Sequence, residues 1–285
     1  MRNLAGSIAL VTGASSGIGY AAARSLARRG VHVVITARRE DRLQELAREI
    51  GELGGGDALV LPADLNAAGE CDRVAREAAA WRGRVDILVN NAGFGRIRFL
   101  ESLDPAADIL PQILLDLVAP ILLARALLPG MIARRAGCIL NIDSVAGLAA
   151  LPTFTVYAAA KYGLRGFNDA LRRETREFGI DVCLICPGPV NTEFSRHSGR
   201  QPGWEEGVTR RTTVAAEVLG ELIAKTAERP RRCVVVPWYY RIPVAFLNPF
   251  PAVVDFLTDH LYARPLRKKQ VADGVTTGNE GGRRV

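Results

Sequence analysis

Tyr157 and Lys161 stand four residues apart, a spacing that sets both side chains on one face of a helix. A phenol with a pKa near 10 gives and takes protons poorly at neutral pH. A fixed ammonium beside it favours the phenolate, so the pair reads as a proton-exchanging group with its own tuning charge. Ser144 lies thirteen residues upstream, at the end of Asn141-Ile142-Asp143-Ser144 and just past an apolar run. A hydroxyl there can hold a substrate oxygen while the phenol exchanges its proton. A second stretch, Thr12-Gly13-Ala14-Ser15-Ser16-Gly17-Ile18-Gly19, joins the first apolar run to a helical stretch opening at Tyr20. Its glycines permit a tight turn and a close approach of phosphate to main-chain N–H groups. The helix start behind them supplies partial positive charge, the setting of a dinucleotide site.

These groups need a scaffold, and the apolar pattern supplies one. Short runs at Ile8–Val11, Val31–Ile35, Ala58–Leu61, Val85–Val89, Cys138–Ile142, Val182–Ile185 and Cys233–Val236 alternate with longer segments of helical period. That alternation predicts an α/β fold, a doubly wound parallel sheet of seven strands in one domain. The expected organisation is a catalytic domain over 1–236, an aromatic and proline-rich extension over 237–263 with a short helix near 252–262, and a basic, disordered tail over 264–285. The polar, Gly/Pro-broken stretch from Asn191 to Thr213 reads as a lid-like loop.

Composition narrows the function classes. A hydrophobic share of 48% against 24% charged suits a globular chain with a sizeable core, not a disordered one. No run of about 18 uninterrupted apolar residues predicts a spanning helix, and the start of the chain leaves little room for a signal peptide before Thr12. Five scattered cysteines argue against a disulfide framework and for a reducing, cytoplasmic setting. The net charge of +7 carries no nucleic-acid signature: residues 264–285 hold six cations against two carboxylates, and the rest is dispersed. Cys183-x-x-Cys186 sits inside an apolar run and reads as buried packing; no metal site is expected.

Thr-Gly-x-x-x-Gly-x-Gly at 12–19, Asn90-Asn91-Ala92-Gly93, Tyr157-x-x-x-Lys161 with Ser144, and Pro187-Gly188, in that order, resemble the short-chain dehydrogenase/reductase family. The resemblance implies a Rossmann-type fold of strand order 3-2-1-4-5-6-7 and a nicotinamide cofactor. It implies catalytic Ser144, Tyr157 and Lys161, with the family's catalytic asparagine aligning on Asp116. It assigns cofactor contacts to Gly13, Ser15, Ser16, Gly17, Ile18, Gly19, Asp64, Leu65, Asn90, Ala92, Gly93, Tyr157, Lys161, Pro187, Gly188, Val190 and Thr192. It also implies a homodimer or homotetramer through the helices near 112–132 and 156–178.

The cofactor choice turns on charge after the second run. An acid there would hold the ribose hydroxyls of NAD(H); Thr36-Ala37-Arg38-Arg39 offers guanidinium groups instead. Absence of the acid, with Arg38 and Arg39 to pair a 2′-phosphate, favours NADP(H) over NAD(H). Two departures from the family bear on rate and pH optimum: Asp116, whose carboxylate would pair with Lys161, and Asp143, where a serine is common. Phe94, Phe99, Leu148, Phe154, Val190, Phe194 and Trp204 are expected to line an apolar pocket for a lipophilic ketone or secondary alcohol. The alternative is a nucleotide-sensing binding protein of low activity on the same fold. The 237–262 segment is expected to cap the pocket or join the dimer rather than rest on a membrane surface, because its prolines spoil a long amphipathic face.

Overall fold

The computed structural model describes residues 2–194, 213–242, 244 and 250–268. Nine strands are numbered in chain order: β1 (Ile8–Thr12), β2 (His32–Ala37), β3 (Ala58–Pro62), β4 (Ile87–Asn90), β5 (Gly137–Ile142), β6 (Ile180–Pro187), β7 (Val190–Asn191), β8 (Val214–Ala215) and β9 (Cys233–Val236). Seven of them form one parallel sheet in the order β3-β2-β1-β4-β5-β6-β9, the expected winding with β9 as its last member. The two-residue strands β7 and β8 pair as a separate ribbon that the apolar pattern did not foretell. Their shortness leaves no alternation to read.

Helices α1 (Gly17–Ala27), α2 (Glu40–Leu53), α3 (Glu70–Arg82), α4 (Pro105–Arg134), α5 (Thr155–Thr175) and α6 (Ala216–Glu228) cover both faces. β1, β4 and β5 are buried throughout, as the strands of a sheet covered on both sides must be. Alternate side chains feed two cores. One gathers Val11, Val33, Ile35 and Val89 with Leu26, Leu43, Leu46 and Ile50. The other gathers Ile8, Leu10, Leu88 and Ile139 with Val74, Leu123, Leu127 and Met131. Full burial of each such aliphatic side chain contributes about 1.5–3 kcal/mol.

Helix α4 is longer than its aliphatic stretch suggested, and by length and composition it is long and apolar enough to cross a membrane. Here its apolar face lies on the sheet through Leu123, Ala124, Leu127 and Met131, and it carries the buried Asp116. Wider, π-type turns at Pro105–Ile109 and Leu114–Val118 interrupt its regular winding. Pro120 has no N–H to give the carbonyl of Asp116 four residues earlier, so that carbonyl loses its regular helical donor.

After β9 the chain makes a short turn at Trp238–Tyr240. Further on, α7 (Pro251–Thr258) continues through Asp259–Ala263, close to the expected short helix, and the helical winding runs to Lys268. The Tyr262 hydroxyl lies 3.4 Å from that of Thr153, and Arg267 pairs with Glu101 while its guanidinium sits 3.7 Å over the Phe99 ring. Most of the expected lid, including Trp204, and the tail from 269 lie outside the described residues.

Candidate active site

The motifs converge at the carboxyl ends of the strands. β1 and β4 are neighbours there, and the chain winds outward in opposite directions from them, which opens the crevice where such sheets bind nucleotides. Thr12, at the end of β1, ties the two central loops together. Its hydroxyl donates to the Val89 carbonyl and accepts the N–H groups of Asn91 and Ala92, both at 2.9 Å. Asn91 returns its side-chain amide to the Thr12 carbonyl at 2.9 Å. Gly19 is packed so closely that a Cβ would stand 2.4 Å from the Gly13 carbonyl oxygen. Ser16 precedes α1 without a side-chain capping bond, which leaves first-turn N–H groups open to an anion. This cradle fits a dinucleotide phosphate.

Around that cradle the remaining assigned residues divide. Thr192 abuts Gly17, where a Cβ would lie 2.9 Å from the Thr192 methyl. Ile18 is half-buried beside the first core. Gly188, after Pro187, donates to the Val236 carbonyl and lies against Tyr240. Val190 pairs with Val214 in the small ribbon. Asp64 caps Asn66, while the Leu65 side chain is buried in the second core. Asn90 spends its amide on Asn141 at 2.8 Å, and Asn141 passes the link to Asn168 at 3.0 Å. That buried amide chain joins β4, β5 and α5.

The two arginines after β2 differ. Arg39 makes an ion pair with Glu193 at 2.8 Å and hydrogen bonds to the Ser15 hydroxyl. Arg38 is exposed and has no charged partner among the described residues. Part of the positive charge anticipated at this position is therefore already spent.

The candidate proton-exchanging groups meet where β5 ends and α5 begins. Tyr157 and Lys161 are buried on α5, and the ammonium lies 5.6 Å from the phenol ring centroid. Lys161 donates to the Ile142 carbonyl at 3.1 Å, which fixes it under the β5 terminus. Ser144 accepts the Ala146 N–H at 3.1 Å, and its hydroxyl, on the same side as the Tyr157 phenol, favours the phenolate. Asp116, fully buried on α4, stands 3.5 Å from the Lys161 ammonium. Its carboxylate presses on Gly93, where a Cβ would sit 2.1 Å away. Asp143 is enclosed as well. Both of its oxygens abut Gly147, and it accepts the Cys186 thiol at 3.6 Å.

One cation thus serves two buried acids and a phenol. Burial raises the Asp116 carboxyl to about 6, against the pull of Lys161 and the Phe94 N–H. Burial likewise raises Asp143 to about 7, again opposed by Lys161. The ammonium itself is pushed down by burial, but Asp116, Tyr157 and Asp143 together hold it above its usual value. Tyr157 ends above the ordinary phenol pKa, which corrects the expectation of a lowered one. Burial outweighs the help of Lys161, and Asp116 and Asp143 add to the rise. The sequence spacing showed the cation but neither the desolvation nor the second acid.

Apolar groups frame the phenol on one side. Ile97, Ala146 and Phe154 cluster with Tyr157, and the Phe194 ring lies 5.8 Å from the phenol ring. Leu148, expected in the same wall, joins Leu184, Cys186 and Val235 instead, because its turn tucks it beneath β6 and β9. Phe94 lies under the Arg96 guanidinium and Phe99 under that of Arg267. Thr12, Asn91 and the Asn141–Asn168 link went unassigned in the sequence. Their signal was a polar residue within or at the end of an apolar run. All five cysteines are free, and no group of three or more metal-ligating side chains occurs among the described residues.

The short chain dehydrogenase family model matches residues 7–203. Human dehydrogenase/reductase SDR family member 7 is 38% identical over 193 residues, 66% of this chain and 56% of that protein. The chain thus spans less than two thirds of that relative's length. The 11-beta-hydroxysteroid dehydrogenase-like 4A of Arabidopsis thaliana is 34% identical over 207 residues, 72% of this chain and 68% of the relative. A metagenomic short-chain oxidoreductase solved with NADP superposes with a TM-score of 0.69 at 33% identity, over 82% of this chain and 97% of its own. A short-chain dehydrogenase/reductase from Burkholderia phymatum solved with NAD shares the fold, with a TM-score of 0.79 at 22% identity, over 89% and 96%. On the match over residues 7–203, the chain belongs to the short-chain dehydrogenase/reductase family.

Proposed function

We propose that the chain is an NADP(H)-dependent oxidoreductase acting on a lipophilic ketone or secondary alcohol. The observation that carries the reading is the meeting of Ser144, Tyr157 and Lys161 beside the glycine cradle. A nicotinamide dinucleotide, held by the loop at Gly13–Gly19 with Arg38 near a 2′-phosphate, would supply or accept the hydride. The protein's own work is proton transfer and positioning. The Ser144 hydroxyl holds the substrate oxygen next to the Tyr157 phenol. Tyr157 gives its proton to that oxygen in reduction and takes it in oxidation. Lys161 stabilises the phenolate and is itself held by the Ile142 carbonyl and the Asp116 carboxylate.

Support for NADP(H) is the exposed Arg38 and the lack of an acid at the end of β2, where Thr36-Ala37-Arg38 stand. Support for a lipophilic substrate is the apolar wall of Ile97, Phe154 and Phe194, together with a relative named for hydroxysteroids. The second reading, a nucleotide sensor of low activity, draws on Asp116 alone, since its charge opposes phenolate formation. Turnover of NADPH and NADH against a panel of hydrophobic carbonyls separates the readings. NADPH-preferring turnover that Tyr157→Phe abolishes, with cofactor binding retained, is expected. Cofactor binding without turnover across the panel would favour the sensor.

A further inference from the structure

The helix that begins with α7 carries apolar side chains on both of its faces. Along 251–268 the half-buried positions include Val254, Thr258, Tyr262 and Leu266, a row that faces the body through the Tyr262–Thr153 contact. The opposite row holds Val253, Phe256, Leu257 and Leu261, all exposed, with Phe256 at 61% and Leu261 at 76%. A surface helix ordinarily turns polar residues outward; this one sets a second apolar row there, beside the one that faces the body. The same outward row runs on to His260, Arg264 and Lys268. Asp255 and Asp259 fall beside it rather than on it, and Arg264 reaches across to Asp259 at 2.7 Å. Leu100 and Leu151, next to the Phe99–Glu101 and Thr153 anchors of this helix, are also exposed.

We infer that this outward row is a docking surface for an anionic lipid bilayer. Charge chooses the occupant. A second copy seated face to face would bring the Lys268 ammonium of both chains toward an apolar interface whose row contains no carboxylate, Arg264 alone bringing its partner Asp259 with it. A bilayer surface offers acyl chains to Phe256, Leu257 and Leu261 and phosphates to the cations at the end of the same row. The prolines that argued against a long amphipathic face lie before or at the start of this helix, at 243, 249 and 251, with Pro265 after Arg264. Because the helix rests on the rim at Phe99 and Thr153, docking would set the approach to Tyr157 at the lipid surface. That consequence rests on the proposed substrate class; the docking does not.

The test is sedimentation of the full chain with vesicles of phosphatidylcholine alone or mixed with phosphatidylglycerol. The expected result is binding to the mixed vesicles at least about fivefold tighter than to the neutral ones, from the Lys268 cation at the surface, and weakened by salt. Phe256→Ser with Leu261→Ser should lose the binding while cofactor affinity is kept, since both side chains are exposed. Lys268→Glu should lose the preference for mixed vesicles. Failure of the parent to bind mixed vesicles, or undiminished binding by the double variant, overturns the inference. A parent dimer that the double variant splits, without vesicle binding, assigns the face to a second copy. Vesicle binding is read without turnover, so it can fail or succeed independently of the proposed chemistry.

Discussion

The Asp116 carboxylate lies 3.5 Å from the Lys161 ammonium, with both groups sealed from solvent. The lysine that should make the phenol acidic is therefore shared with a buried acid from another helix. Asp116 acts against Tyr157 by adding negative charge nearby, while it keeps Lys161 in its charged form. Asp116→Asn keeps the shape and removes that charge. The acid limb of the alcohol-oxidation profile should then move down, by about one pH unit. An unmoved limb would mean that Asp116 does not influence the phenol.

Asp143 carries a different liability. Its folded pKa of about 7 lies above the ordinary 3.8, so the folded chain holds a proton that the unfolded chain has released. Stability then falls as pH rises from 3.8 towards about 7 and levels off beyond. Asp143→Asn should be more stable than the parent at pH 8, by at most about 4 kcal/mol. The gain should disappear on acidification. Thermal melts at both ends of the window check it, and a gain independent of pH would contradict the account.

With Arg39 paired to Glu193, the proposed NADP(H) preference falls to Arg38. Replacing it by serine removes the exposed guanidinium without opening the core. The KM for NADPH should rise about 10- to 100-fold, the value of a lost charge-assisted contact, while that for NADH stays nearly constant. Equal effects on both would place the 2′-phosphate elsewhere.

Thr12 is a small residue with a large structural share. Thr12→Val leaves the N–H groups of Asn91 and Ala92 without their acceptor in a half-buried turn. A loss of about 1–2 kcal/mol is expected in denaturant unfolding. Dinucleotide affinity should fall with it, because the same hydroxyl aligns the glycine loop with the loop after β4. Retained affinity at reduced stability would limit Thr12 to a structural role.

The outline of this protein could be read from its residues because the relevant information is local. Apolar runs of strand length separated by helical segments imply a parallel sheet. Gly13–Gly19 lies at a strand-to-helix turn, and Tyr157 and Lys161 are one helical turn apart, so both arrangements follow from neighbours in the chain. The neighbourhood of Lys161 is different in kind. It is assembled from α4, α5 and the end of β5, and no pattern within any one of them reports how thoroughly it is enclosed. Asp116 at 45 positions before Lys161 announced a possible pair, but only the packed interior set the burial that raises Tyr157, Asp116 and Asp143 together.

Residue type and spacing alone determined the sheet and pointed to the glycine-rich turn and the candidate proton-exchanging groups, since each depends on backbone geometry over a few residues. Tertiary structure decided the charge state those groups settle into, the commitment of Arg39 to Glu193, and which side of the last helix faces out. Desolvation and long-range pairing arise only when distant segments close around one another, so they have no signature in the order of the amino acids.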